Sequence, residues 1–366
     1  RVAELRFFGP KLGEYARGLF KVSPATAERM LGTADRSTPT TDGRFNDWPE
    51  AWRKRLGQVT EVARSPSSTV FVASGVSLED PRFRNIDVAV KEISAGNRGG
   101  SSEASREIHA VRLLDGPEFV TFIEVTDPSR LAYGKPVLIM MEQADGDLAT
   151  DIVPKHQDIS KGVKLQILVV LLRALAKMSR MGLVHRDVKP ANILVFGDCA
   201  QEGGCRVKLA DFGLTCTFIG EGSSSTPCLG SPGSPMFMAP EALVSGSPGP
   251  ERDVWGAGLV FYEMLFGEMP PEMVATRARC EAMSRPEDPD TARCWRQAVE
   301  EFNFFQDRNY KALWEEDVWT AVVLQFMLRQ DKAERITAEK ALELATAVAE
   351  RKGVPIPDED DPVVRA

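Results

Sequence analysis

Residues 185–192 read His185-Arg186-Asp187-Val188-Lys189-Pro190-Ala191-Asn192, and Asp211-Phe212-Gly213 begins 19 residues beyond Asn192. The apolar stretches Ile193-Leu194-Val195-Phe196 and Val207-Lys208-Leu209-Ala210 follow the first motif and enter the second, as two short strands would. Asn192 and Asp211 offer oxygen donors, which suit a hard cation such as magnesium. Asp187 is a candidate proton acceptor or positioning group for an attacking hydroxyl. Lys189, two residues later, is placed to offset negative charge on a transferred group. Pro190 stiffens the loop, and Gly213 lets the backbone turn after Phe212. A lone His-Arg-Asp is a weak signal; the complete octet with both strands and the second motif is a strong one.

Length and charge bound what can surround these motifs. A chain of 366 residues has room for one two-lobed domain plus an extension. The 53 acidic and 45 basic side chains leave a net charge of -8, which argues against nucleic acid as a main partner. No apolar run approaches the roughly 20 residues of a membrane-spanning helix. The run at 165–172 is short and meets Arg173, so it reads as a buried helix. The chain begins at Arg1 rather than Met and is silent about any targeting segment before it. Its six cysteines fall as near neighbours: Cys199 with Cys205, Cys216 with Cys228 and Cys280 with Cys294. None has a Cys-x-x-Cys zinc spacing. They fit three local disulfides of a secreted chain, or six ordinary thiols.

Strand signals dominate the first half and helix signals the second. Before residue 57, Ser23 and Pro24 look like the cap and first position of a short helix. Residues 36–47 read as a polar loop, and 48–56 as a helix with Trp48, Trp52 and Leu56 on one face. Strands at 59–63 and 69–73 flank Ser65-Pro66-Ser67-Ser68 as a hairpin would. Further strands fit 86–93, 119–125 and 136–141, with one helix at 103–114. Helices then fit 163–181, 252–266, 291–302, 318–328 and 338–352. The Gly/Ser/Pro-rich run 220–235 separates the two kinds of chemistry-bearing segment from the later helices.

Over residues 57–350 the pattern resembles the eukaryotic protein kinase superfamily. The resemblance implies an α+β, bilobal protein kinase fold with an N-terminal helical extension. It would comprise the extension (1–56), an N-lobe (57–142), a C-lobe (143–350) and a tail (351–366), with Mg-ATP held between the lobes. Val88-Ala89-Val90-Lys91 looks like the strand whose lysine holds ATP phosphates. Glu107 of Arg106-Glu107-Ile108 would be its ion-pair partner, with Glu103 one turn earlier as the alternative. Met141 is similar to the gatekeeper, and the backbones of Glu142 and Ala144 to the adenine-binding hinge. In Gly233-Ser234-Pro235-Met236-Phe237-Met238-Ala239-Pro240-Glu241, Ser234 takes the place whose hydroxyl reaches the catalytic aspartate. This serine implies a protein substrate phosphorylated on Ser or Thr. Glu241 would pair with Arg335, and Asp253 of Asp253-Val254-Trp255-Gly256-Ala257-Gly258 would hold the backbone of the catalytic loop. Arg186 would pair with a phosphorylated residue among Ser223, Ser224, Ser225 and Thr226.

The departure lies in the loop that covers the phosphates, where Ser65-Pro66-Ser67-Ser68 contains no glycine. Pro66 offers no N–H, so serine hydroxyls are left as the donors. With the retained Lys91 and the extension, this resembles the secreted kinases of apicomplexan parasites that lack a glycine loop, a branch that includes a bradyzoite pseudokinase. That resemblance implies secretion to dense granules or the parasitophorous vacuole, and phosphorylation of proteins at vacuolar membranes. The contrasting expectation is a pseudokinase scaffold or binding module with little catalysis.

Overall fold

The computed structural model describes residues 45–56, 58–65, 67–77, 84–94, 100–200, 204–218, 233–245, 249–271, 273–275, 279–280, 293–294, 297 and 304–357. It divides into two compact units. The first holds the described residues up to Asp115 together with Val120–Asp147, and the second holds Gly116–Phe119 and the described residues from Leu148 onward. The first is strand-rich and the second helix-rich, the bilobal α+β arrangement that the sequence implies.

In the first unit, α1 (Glu50–Arg55) precedes β1 (Val59–Arg64), β2 (Ser68–Ser77) and β3 (Arg84–Ile93). Next come α2 (Gly100–Leu113), β4 (Phe122–Val125), β5 (Val137–Glu142) and the two-residue β6 (Gly146–Asp147). Five strands form one antiparallel sheet in the order β1-β2-β3-β5-β4. Phe71 pairs with Val90 and Val90 with Met140; Val70 pairs with Lys91 and Lys91 with Ile139. Successive strand residues point to opposite faces. One face therefore collects Phe71, Ala73, Val88, Val90, Leu138 and Met140, and on it Trp48, Trp52 and Leu56 pack. The predicted aromatic stripe thus folds onto its own unit. Both indole N–H groups find carboxylates, Trp48 donating to Glu92 at 2.5 Å and Trp52 to Glu124 at 2.8 Å. Arg55 Nη2 reaches both oxygens of Glu124, at 3.0 and 2.8 Å. Burial pushes the Glu92 carboxyl up, against the pull of the Trp48 N–H and Arg64.

The second unit begins its helical part with α3 (Lys161–Arg180), capped by Ser160, whose hydroxyl accepts from the Val163 N–H at 3.1 Å. Short strands follow: β7 (Leu183–Val184), β8 (Ile193–Gly197), β9 (Cys205–Leu209) and β10 (Cys216–Thr217). β8 pairs antiparallel with β9, and β7 with β10. The helices α4 (Pro240–Ser245), α5 (Glu251–Phe266), α6 (Arg308–Glu316), α7 (Val318–Met327) and α8 (Ala338–Arg351) complete it. α5 is mostly apolar beyond its charged first turn and sits in the core, with Trp255, Phe261 and Tyr262 fully buried.

Several sequence expectations need adjustment. α6 is not foreseen, because its charged run hides a face on which only Tyr310 and Leu313 are buried. The strand expected at 119–125 is shortened to Phe122–Val125, since Phe119 belongs to the second unit and bridges Leu209 there. The readings on residues 1–44 and 291–302 lie outside the described residues, apart from Arg293, Cys294 and Gln297 in the latter stretch.

Candidate active site

In the first unit, the same alternation that gives Val88 and Val90 to the α1 face sends Lys91 to the other face. Its ammonium is fully buried and donates to Glu107 Oε2 at 2.6 Å. Glu103, one helical turn earlier on α2, stands 3.9 Å away and is the more exposed of the two. The closer partner is therefore Glu107, with Glu103 as a second carboxylate on the same helix face. Met141 is buried at the end of β5, and the Glu142 N–H donates to Thr121 O at 3.0 Å while its carboxylate accepts from the Thr121 N–H at 2.5 Å. Ala144 follows two residues after the strand and is half-buried.

The second unit gathers the octet and Asp211. β8 starts directly after Asn192 and β9 ends two residues before Asp211, so one hairpin delivers both. The Ala210 N–H closes the base of this hairpin by donating to Asn192 O at 2.9 Å. Asp187 is oriented from three sides. Its Oδ1 accepts the Ser234 N–H at 2.9 Å, and its Oδ2 accepts Lys189 Nζ at 2.6 Å and Asn192 Nδ2 at 3.0 Å. The Ser234 hydroxyl accepts from Lys189 at 2.9 Å. This corrects one expectation. Ser234 reaches Asp187 through its backbone N–H rather than its hydroxyl, which meets Lys189 instead.

Asn192 carries an informative asymmetry. Its Nδ2 donates to the backbone and side chain of Asp187, which turns Oδ1 the other way. That Oδ1 is buried with no hydrogen-bond partner. A buried acceptor left open, close in sequence to Asp187 and joined by the hairpin to a carboxylate, fits a hard cation. Among the described residues no cluster of three or more His, Cys, Asp or Glu is arranged to cage a metal. Magnesium commonly rests on one or two protein oxygens and completes its shell with water and phosphate, so Asn192 and Asp211 suffice.

The backbone around these groups is held under constraint. Arg186 and Asp211 both have left-handed backbones, with φ of 71° and 63°. Asp253 at the start of α5 accepts the N–H of His185 at 2.6 Å and of Arg186 at 2.9 Å. Burial pushes its carboxyl up; His185, Arg252 and the two N–H donors pull the other way. His185 Nε2 lies 3.0 Å from Ala210 O and its Nδ1 accepts the Asp187 N–H at 3.3 Å, which fixes the proton on Nε2. Arg186 Nε donates to Leu214 O at 2.6 Å. The sites Ser223, Ser224, Ser225 and Thr226 lie outside the described residues. Gly233 has φ +137°, and a Cβ there would meet Arg186 O at 2.6 Å, so the segment before Ser234 passes too close for a side chain. Arg335 pairs with Glu241 at 2.6 and 3.0 Å and gives its remaining N–H groups to the carbonyls of Glu251, Arg329 and Gln330. All five guanidinium donors are thereby satisfied.

The sequence leaves the serine hydroxyls as the donors of this turn. The Ser65 Oγ accepts the N–H groups of Ser67 at 3.3 Å and Ser68 at 3.0 Å, and its own O–H donates to Ser68 O at 3.2 Å. A serine two or three residues ahead of free amides is the sequence signal for such a turn.

A family model described as protein kinase domain matches residues 75–345. Among curated relatives, the probable serine/threonine-protein kinase PknB of Bifidobacterium longum is 32% identical over 60% of this chain and 31% of its own length. The serine/threonine-protein kinase PknL of Mycobacterium bovis is 30% identical over 57% of the chain and 49% of its own. The human serine/threonine-protein kinase ULK1 is 29% identical over 51% and 17% respectively. The matches thus span less than half the length of each of these relatives.

Proposed function

This chain belongs to the protein kinase domain family, and from that premise we propose that it is an ATP-dependent serine/threonine protein kinase. The observation that carries the reading is Asp187, held by Ser234, Lys189 and Asn192 with its carboxylate oriented from three sides. In protein kinases generally, catalysis is positioning plus charge stabilisation. Asp187 would align the substrate hydroxyl and accept its proton at a carboxylate oxygen. Lys189 would face the negative charge of the transferred phosphoryl. Lys91, paired with Glu107, would hold ATP phosphates, Met141 would flank the adenine, and the backbones of Glu142 and Ala144 would bind it. Asn192 and Asp211 would hold magnesium, which when bound neutralises charge on the phosphates.

The substrate class we propose is a Ser- or Thr-bearing protein of a secretory compartment, including membrane-associated proteins of a parasitophorous vacuole. Support for an oxidising compartment comes from the disulfides Cys199–Cys205 and Cys280–Cys294. The apicomplexan lineage and the vacuolar or dense-granule location rest on the glycine-free turn and the extension. A second reading, a pseudokinase scaffold, is favoured by that turn alone. Magnesium-dependent ATP binding by calorimetry, followed by phosphate transfer to a protein acceptor, tests the first reading. Absence of ATP binding at millimolar nucleotide, with and without Mg2+, overturns it in favour of the scaffold.

A further inference from the structure

The turn between β1 and β2 uses up its own donors. Ser65 N–H donates to Ser68 O at 2.8 Å, and the N–H groups of Ser67 and Ser68 both donate to Ser65 Oγ. Pro66 has no N–H. Every backbone donor of residues 65–68 is therefore spent inside the turn. The Ser65 hydroxyl also lies 3.0 Å from Ser68 Oγ and 3.2 Å from Ser68 O. The turn is tied to the end of β3, where the Ser94 N–H donates to Ser67 O at 3.0 Å. Ser68 pairs with Ile93, and Val70 with Lys91, so by the two-residue alternation Ser68 points to the same face of the sheet as Lys91. Ser68 is buried there.

A single oxygen receiving two neighbouring backbone N–H groups is what a phosphate oxygen receives in an anion-binding turn. We propose that Ser65 sets the affinity for ATP by occupying, from within the chain, the two amides that would otherwise face a phosphate oxygen. This rests on the kinase reading above. A nucleotide must displace the hydroxyl before it gains those donors. Ser65 is thus a positioning residue that acts through the amides of Ser67 and Ser68. Removing the hydroxyl frees these amides of their internal acceptor, whereas the wild-type chain gives up its internal hydrogen bonds first. The advantage of such a bond over its hydrated counterpart corresponds to a change in affinity of about two- to tenfold.

The test is calorimetric titration of the full chain with Mg-ATP and, separately, with adenosine, for wild type, Ser65→Ala, Ser65→Gly and Ser65→Thr. Thermal unfolding of each variant verifies its fold, and the glycine variant removes the hydroxyl independently if the alanine variant fails to fold. The expected result is ATP binding about two- to tenfold tighter in the alanine and glycine variants, and unchanged in the threonine variant, which keeps the hydroxyl. Adenosine, which lacks phosphates, should bind all four alike. Unchanged or weaker ATP binding in the alanine and glycine variants, beside clear binding by wild type, overturns the inference and leaves the kinase reading standing. A gain seen equally with adenosine overturns it too. Absence of ATP binding in all four proteins removes the kinase reading and the inference together.

Discussion

Asp187 illustrates how one side chain is made specific by its neighbours. Three donors fix its two oxygens, and Asp253 fixes the backbone that carries it through two N–H bonds. Asp187→Asn keeps the shape and removes the acceptor, so phosphate transfer should fall by about 10²–10⁴-fold with ATP binding retained. Equal initial rates for wild type and variant on the same protein acceptor would remove Asp187 from the mechanism. Lys91 has two carboxylates within 4 Å, so replacing it strands buried negative charge at Glu107. Lys91→Ala should lower kcat, raise KM for ATP, or both, and should also lower stability by about 3–5 kcal/mol in chemical denaturation. Unaltered kinetics in a folded variant would rule out its nucleotide role. The motif residues were legible because their types and spacing state their chemistry. The acceptor role of Ser65 was not, since a hydroxyl both donates and accepts and only the turn geometry chooses.

At the level of elements, β3 serves two ends at once. Val88 and Val90 belong to the core under α1, and Lys91 to the opposite face. Slipping this strand by one residue would exchange them, so the packing of α1 also guards the placement of Lys91. Trp52→Ala removes a buried indole and leaves Glu124 without that donor; a loss of about 3–5 kcal/mol is expected in equilibrium unfolding. A loss below about 1 kcal/mol would show that α1 is dispensable to the sheet. At the other end of the chain, Asp317 caps α7 by accepting the Thr320 N–H and is paired with Lys352 after α8. Burial raises its pKa, but Lys352 and Thr320 outweigh this and hold it below the usual aspartate value of 3.8. The folded value being depressed, its contribution is complete above the unfolded pKa and is lost as pH falls through the folded one. Asp317→Asn should therefore flatten the acid limb of the stability–pH curve below about pH 4, while preserving most of the cap. An unchanged acid limb would exclude this linkage.

Over the whole molecule, cross-links between distant segments decide what local pattern cannot. The Arg335 guanidinium, fully buried, joins Glu241 across 94 positions of sequence and adds carbonyls from three further residues. Glu241→Ala should cost about 3–5 kcal/mol because the arginine remains buried without its charge partner. A cost near that of an exposed pair, under about 1 kcal/mol, would contradict the buried geometry. Two of the three expected disulfides are formed, Cys199–Cys205 at the tip of the β8–β9 hairpin and Cys280–Cys294. For the third, Cys228 lies outside the described residues. By loop-closure entropy the two bridges are worth about 2 and 3 kcal/mol. Peptide mapping of the unreduced protein should return both pairs, and free thiols at these four positions would reject them.

The sequence by itself determined the chemistry and its order. Residue type fixes which atoms can carry charge or hold a hard cation, and the alternation of β3 fixes that Lys91 leaves the α1 core. It also determined the aromatic stripe of Trp48, Trp52 and Leu56, because a periodic apolar face must be buried somewhere. Tertiary structure alone decided the partners. Glu107 lies nearer to Lys91 than Glu103 does, although both occupy one helix face, because the distance depends on how α2 is set against the sheet. The Ser234 N–H rather than its hydroxyl meets Asp187 because Gly233 lets the chain approach Arg186 closely. The donors of the serine turn are spent internally because backbone N–H groups take the nearest available acceptor once the hairpin closes. Short-range pattern is written in the order of residues, whereas the choice among competing partners is made by distances that exist only after the chain has folded.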